Sequence, residues 1–162
     1  MRVAPCELPA GALLRRYSDG SYTDCFATDI PTAVSQAQYV AAFYTTAVFK
    51  LERVILKLAS MPSTDAEARQ LADGSRDAFA AWRVEDRTDH QLLMSAGRTR
   101  SWLMTAPQAG GGTRLYFGSA VVPVKSATGA KPAMGMSYRL LLGFHKIYSM
   151  VLLQSAKSRL GK

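Results

Sequence analysis

The last long segment of the chain, residues 137–160, constrains the fold most, because it is predicted to form one helix with apolar residues on nearly every side. A helix on a protein surface carries a single apolar stripe, whereas one that is apolar all round is buried by its surroundings. With a rise of about 1.5 Å per residue it would span roughly 36 Å, the width of a small domain. The rest of the chain must therefore supply a structure that surrounds this helix. Its apolar centre consists of Leu140, Leu141, Leu142, Phe144, Ile147, Tyr148, Met150, Val151, Leu152 and Leu153.

The same segment is not predicted to cross a membrane. Gly143, His145, Lys146 and Ser149 interrupt it, and a membrane span needs about 20 nearly uncharged residues. A chain of 162 residues is large enough to bury its own core, so we expect one domain over residues 1–162 whose first 20 residues are weakly structured.

The N-terminal residues do not resemble a secretory signal. Residues 1–14 contain Glu7 and two prolines and have no long apolar run. We therefore expect a cytoplasmic location. The two cysteines, Cys6 and Cys25, could form a disulfide, but without a secretory context we expect free thiols.

The net charge of +8 raises the question of nucleic-acid binding. The basic residues are scattered, however, and no nucleic-acid motif accompanies them. The concentrated basic residues are Lys157, Arg159 and Lys162 at the end of the predicted helix, where positive charge complements the helix dipole. We expect no specific nucleic-acid binding.

The first half of the chain predicts one strand followed by helices. Residues 21–30 favour extended structure, and Pro31 ends them. A capping box over residues 35–38 begins a helix with an apolar stripe that continues to residue 58, although the pair Thr45 and Thr46 could divide it into two pieces. A second capping box over residues 64–67 begins a short helix that Gly74 ends.

The middle of the chain predicts an antiparallel meander. Residues 79–85, 90–96, 98–105 and 113–122 are strand-length segments joined by short turns, and short links connect antiparallel neighbours. Residues 21–30 could add a fifth strand. The predicted fold class is therefore α+β: a curved antiparallel sheet wrapped around a long C-terminal helix, with additional helices between the first strand and the meander.

This order of elements resembles the helix-grip fold of the START-like superfamily, which includes polyketide cyclases and lipid-transfer domains. Residues 100–107, Arg-Ser-Trp-Leu-Met-Thr-Ala-Pro, followed by a glycine-rich turn and by Gly-Thr-Arg-Leu-Tyr-Phe at 112–117, resemble the superfamily's hairpin before its last helix. Residues 43–45, 51–53, 98–103, 117–123 and 145–149 are similar to an uncharacterised bacterial family within it. The resemblance implies a cavity between sheet and helix, and it supplies neither a reaction nor catalytic residues. Residues 35–72 are more helical than is usual in the superfamily, and could cover or fill part of that cavity.

The sequence predicts no metal or cofactor site. His90 and His145 lie far apart and have no partner at ligand spacing. The Gly110–Gly112 run lacks a following Lys-Ser/Thr, so it is predicted to be a hairpin turn and not a phosphate loop.

Alternation along the predicted strands places Arg100 and Trp102 on one face of the sheet. We predict that this face points toward the helix, which gives the cavity an aromatic wall and a cation for a carboxylate. If the two residues point outward, they form a surface patch suited to a homodimer. The candidate residues that line the cavity are Trp82, Met94, Arg100, Trp102, Tyr116, Phe144, His145 and Tyr148.

Three functions remain open at this point. The first is binding of a small hydrophobic or aromatic molecule between the sheet and the C-terminal helix, with residues 125–135 as a gate. The second is a cyclase- or dehydratase-like enzyme in the same cavity, with His145, Glu52 or Arg100 as polar groups. The third is a structural or interaction protein whose cavity is filled by its own side chains. For the residues themselves, His145 has the alternative of a core histidine satisfied by a backbone or hydroxyl partner, and Glu52 that of a solvated flank or a salt bridge.

Overall fold

The computed structural model describes residues 2–50, 62–123 and 136–161, and for residues 136–145 only the backbone. Its strands are β1 (Ala4–Pro5), β2 (Tyr22–Ile30), β3 (Ala78–Phe79), β4 (Trp82–Thr88), β5 (Gln91–Ala96), β6 (Thr99–Pro107) and β7 (Thr113–Val121). Its helices are α1 (Gln36–Tyr44), α2 (Asp65–Asp73) and α3 (Met136–Leu160), together with a 3-10 helix at Leu13–Tyr17.

The strands form one antiparallel sheet in the order β1-β2-β7-β6-β5-β4-β3. The strands from β3 to β7 are therefore neighbours in chain order within the sheet. β2 joins them by pairing with β7 over the whole length of both strands. A register shift between Val84 and Asp86 interrupts the pairing of β4 with β5, and such irregularities bend a strand. The predicted α+β class and the curved antiparallel sheet with a C-terminal helix are confirmed.

Both predicted capping boxes are present. Ser35 accepts a hydrogen bond from the Gln38 N–H at the start of α1, and Thr64 accepts one from Glu67 at the start of α2. Helix α1 ends at Tyr44 because the two threonines that follow bind carbonyls of the preceding turn: Thr45 Oγ1 lies 2.7 Å from the Ala41 oxygen. The helical turn at residues 47–50 is a separate piece, as the sequence allowed.

Helix α3 is continuous, as predicted, and packs against β2, β7 and α1. It is not buried on all sides. Ser149, Leu152, Leu153 and Ala156 face the protein interior, whereas Ile147 is 60% exposed and Val151 is 43% exposed. The prediction of all-round burial is therefore wrong for the described turns, because the sheet and α1 contact only one stripe of the helix. Within the described residues, no helix is long and apolar enough to cross a membrane.

Candidate functional site

The sheet has two packed faces. Antiparallel partners that lie directly opposite share a face, so the pairing Leu92–Leu103–Phe117–Phe26 runs along one side and Leu93–Trp102–Gly118–Cys25 along the other. We call the first side the inner face, because its residues belong to the core that includes α1, α2 and α3. The second side is the outer face, which packs against the N-terminal segment, residues 6–17.

Trp102, Arg100 and Tyr116 lie on the outer face, so the prediction that they point toward α3 is wrong. The reason is the register of β6 and β7, in which Leu103 and Phe117 fill the inner core. A buried indole also needs an acceptor for its N–H. Trp102 finds this acceptor on the outer face, where Gln91 Oε1 lies 2.9 Å away.

The N-terminal segment closes over the outer face and is more ordered than its sequence suggests. Gln91 Oε1 also accepts a hydrogen bond from the Leu13 N–H at 2.9 Å, and Gln91 Nε2 donates to the Gly11 carbonyl at 3.0 Å. Leu14 and Trp102 are both fully buried there. Trp102 is therefore covered by its own chain, and the alternative interpretation of an exposed Arg100–Trp102 patch for a second subunit is also wrong.

Arg100 is already engaged by groups of the protein. Its Nε lies 2.7 Å from Glu85 Oε2 and its guanidinium lies 4.9 Å from the centre of the Tyr17 ring. Tyr17 also contacts Glu85, and Arg16 contacts Asp86. These contacts join the 3-10 helix to β4 and β6, so the cation that was predicted to receive a ligand carboxylate instead binds a carboxylate of the sheet.

The other candidates lie on the inner side where they are described. Met94 is fully buried, and Trp82 and Tyr148 pack against the same core. The Tyr44 hydroxyl lies 3.2 Å from the Met94 sulfur. The side chains of Phe144 and His145, together with Glu52 and the predicted gate at residues 125–135, lie outside the described residues.

Aromatic side chains fill the described part of the space between the sheet and the helices. The Phe43 ring centre lies 4.9 Å from that of Phe117 and 5.2 Å from that of Tyr44, which in turn lies 4.8 Å from Phe49. This part of the inner side, with Met94 and Tyr44 fully buried, is packed core.

An open cleft remains at the other end of the inner face. It has a volume of about 250 Å³ and lies where the start of α1 meets the β4–β5 and β6–β7 turns. A second cleft of about 180 Å³ lies between α1, the end of α2 and the β4–β5 turn, and Gln36 lines both. The first cleft is lined by Ala33, Val34, Ser35, Gln36, Asp89, His90, Thr105, Pro107, Gln108, Gly111, Gly112 and Thr113.

Gln36 lines both clefts and carries a polar atom whose hydrogen bonding is incomplete. Its Nε2 donates to the Leu103 carbonyl at 3.1 Å, which fixes the amide against the sheet. Its Oε1 is buried and has no hydrogen-bond partner. A buried acceptor without a partner is costly to the folded protein, and a donor from a bound molecule would satisfy it. Gln36 directly follows the Ser35 cap, and no local signal in the sequence indicates its contact with Leu103, 67 residues further along the chain.

The described residues hold no cluster of three or more His, Cys, Asp or Glu side chains suited to a metal ion. His90 is exposed at the edge of the cleft, where it contributes a polar side chain to the wall.

No family model matches the chain, and no curated protein matches it. The solved structures that match the chain include two at 11% sequence identity. The conserved protein of unknown function EF2215 from Enterococcus faecalis has a TM-score of 0.39, over 89% of this chain and 78% of that one. CalU16 from Micromonospora echinospora has a TM-score of 0.34, over 96% of this chain and 91% of that one.

Proposed function

We propose that this chain is a START-like binding module that holds a small, mainly apolar molecule carrying one hydrogen-bond donor. Its site is the cleft between the start of α1 and the two hairpin turns on the inner side of the sheet. The observation that carries the proposal is the buried, unpartnered Oε1 of Gln36 beside that cleft. The order of elements, with a C-terminal helix on an antiparallel sheet, supports the superfamily assignment.

The walls of the cleft suit a ligand of this kind. Val34, Ala33 and Pro107 supply apolar surface, while the Thr105 and Thr113 positions are buried in the sheet. Thr113 Oγ1 is already used, since it accepts from the Val34 N–H at 3.0 Å and donates to the Thr32 carbonyl. Ligand pockets commonly have volumes of about 300–1,000 Å³, so a cleft of about 250 Å³ suits a molecule of roughly one ring.

Phenol and toluene form a matched pair of probes, because they share a ring and differ in the donor. We expect phenol to shift the backbone amide signals of residues 34–36, 89–91, 105 and 112–113 in ¹H–¹⁵N NMR spectra, and toluene to shift them less. Gln36→Leu should remove the preference for phenol, because it removes the acceptor. Gln70→Leu makes the same chemical change at an exposed position of α2 and should leave the preference intact.

Phenol shifts that fall elsewhere would contradict this site. Shifts centred on Met94, Ser101 and Tyr148 would instead favour the location that the sequence suggested, between the sheet and α3. Equal shifts by both probes, unchanged in Gln36→Leu, would show that the Gln36 oxygen does not select the ligand.

A further inference from the structure

The pairing of the first two strands brings the two cysteines together. Ala4 lies opposite Ala27 and Pro5 opposite Phe26, so Cys6 follows opposite Cys25. The Cys6 N–H donates to the Cys25 carbonyl at 3.0 Å. Residues that face each other across such a hydrogen-bonded position have Cα atoms about 5.5 Å apart, and this separation lies within the range that a disulfide spans, about 4.4–6.8 Å.

The thiols themselves are in contact. The two sulfur atoms are 3.2 Å apart, and both cysteines are free. We propose that Cys6 and Cys25 form a redox site, which a small disulfide such as oxidised glutathione converts to an intramolecular disulfide that fastens the N-terminal segment to β2. The two sulfur atoms need to approach by little more than about 1 Å to reach the bonded distance of about 2.05 Å.

Cys6 is the cysteine that an oxidant reaches first. Both cysteines line a cleft of about 330 Å³ with Arg15 and Glu7, but Cys6 is half-buried whereas Cys25 is only 5% exposed. The Cys25 thiol can donate a hydrogen bond to the Cys6 thiolate and the Arg114 charge lies nearby, and together they hold the pKa of Cys6 below its ordinary value. The pKa of Cys25 is raised, because this hydrogen bond and burial keep the thiol protonated.

The reaction takes two exchange steps. The Cys6 thiolate attacks one sulfur of the small disulfide, which forms a mixed disulfide and releases one small thiolate. The Cys25 sulfur then attacks the Cys6 sulfur, which breaks the mixed bond and releases the second thiolate, and the proton of Cys25 leaves with it. Overall, two protein thiols and one small disulfide give one protein disulfide and two small thiols, so two electrons pass to the oxidant.

The new bond would close a loop between Cys6 and Cys25 that contains the N-terminal segment packed on the outer face. The chain between the two cysteines includes the 3-10 helix at Leu13–Tyr17, which places Leu14 against Trp102 and Gly118. β1 is only two residues long and lies at the edge of the sheet. Cys6 and Cys25 are 19 residues apart in sequence. Closing such a loop lowers the entropy of the unfolded chain, so oxidation stabilises the folded protein with the N-terminal segment in place.

The test is a titration of the full-length protein in mixtures of reduced and oxidised glutathione, followed by alkylation and mass spectrometry. We expect an intact mass that has lost two hydrogens and a linked peptide pair that joins Cys6 to Cys25. The oxidised protein should melt about 5–10 °C higher than the reduced one. Cys25→Ala should trap Cys6 as a stable glutathione adduct, and Cys6→Ala should leave Cys25 largely unmodified, because Cys25 is buried and protonated.

Retention of both thiols in fully oxidised glutathione would overturn the proposal. So would a persistent glutathione adduct on the unmutated protein, or a disulfide that links two chains. An oxidised protein with an unchanged melting temperature would show that the bond does not fasten the N-terminal segment.

Discussion

The two faces of the sheet are closed in different ways. The inner face is covered by helices. Aromatic rings of the helices and the sheet pack against one another there, as Phe43 of α1 does against Phe117 of β7. The outer face is covered by a short segment with a small apolar cluster, held by the hydrogen bonds of Gln91, by the Arg100–Tyr17 contact and by the Arg16–Asp86 ion pair. The inner face is therefore held mainly by packed rings, and the outer face by a small apolar cluster with polar contacts at its edge.

The largest effect is expected from Phe43→Ala on the inner face. Truncating a fully buried Phe among aromatic neighbours removes apolar contacts and leaves a cavity, which typically costs about 3–5 kcal/mol in the free energy of unfolding. Ile147→Ala, at a position 60% exposed, is the matched control and should change stability little. Urea denaturation monitored by circular dichroism measures both. A Phe43→Ala protein as stable as the control would show that the inner aromatic cluster does not hold the fold.

A smaller loss is expected from Gly118→Ala on the outer face. A Cβ at Gly118 would lie 2.8 Å from Leu14 Cδ2, 2.9 Å from the Asp24 carbonyl oxygen and 3.0 Å from Trp102 Cε3. Overpacking of this kind costs about 1–3 kcal/mol. Gly11→Ala introduces the same methyl group where no atom lies within 4 Å and should be neutral. Equal denaturation midpoints for the two variants would mean that Leu14 and Trp102 do not press on the sheet at Gly118.

The smallest effect on stability is expected from removing an ion pair of the outer face, and this effect depends on pH. The hydrogen bond from Arg16 holds the pKa of Asp86 below its ordinary value. A carboxylate whose pKa is lowered by folding stabilises the protein above the unfolded-state value of about 3.9, and this contribution is lost as pH falls through the lower, folded-state pKa. The gap in melting temperature between the unmutated protein and Asp86→Asn should therefore be present at neutral pH and low salt and close in acid. A gap that persists or widens in acid would contradict this.

The sequence predicted most of the architecture because local signals decide it. The capping boxes at Ser35 and Thr64, the end of α2 at Gly74 and the turns of the meander are all encoded by neighbouring residues. The continuous α3 followed from its long apolar run, although Ile147 and Val151 show that an apolar residue is not always a covered one.

The candidate site was predicted less well, because the choice between two sheet faces is not local. Alternation correctly grouped Arg100 with Trp102. Both faces of β6 carry apolar residues, however, so the pattern does not indicate which face meets the helices. The deciding contacts come from the N-terminal segment and Gln91, which lies 78 residues from its partner Leu13. Gln36 was missed for a similar reason, since its packing depends on Leu103 of a distant strand.

The central claim is that the outer face around Trp102 is part of the protein interior and is covered by the N-terminal segment. The direct test observes the Trp102 indole N–H by NMR in Trp82→Phe, a background with one tryptophan. Trp102 Nε1 and the Leu13 N–H both donate to Gln91 Oε1 at 2.9 Å, so their protons lie close together. We predict slow exchange of the indole proton with D₂O and a cross-peak to the Leu13 amide, with the slow exchange lost in Gln91→Leu. Immediate exchange, or cross-peaks to Leu152 and Leu153 of α3 instead, would contradict the account.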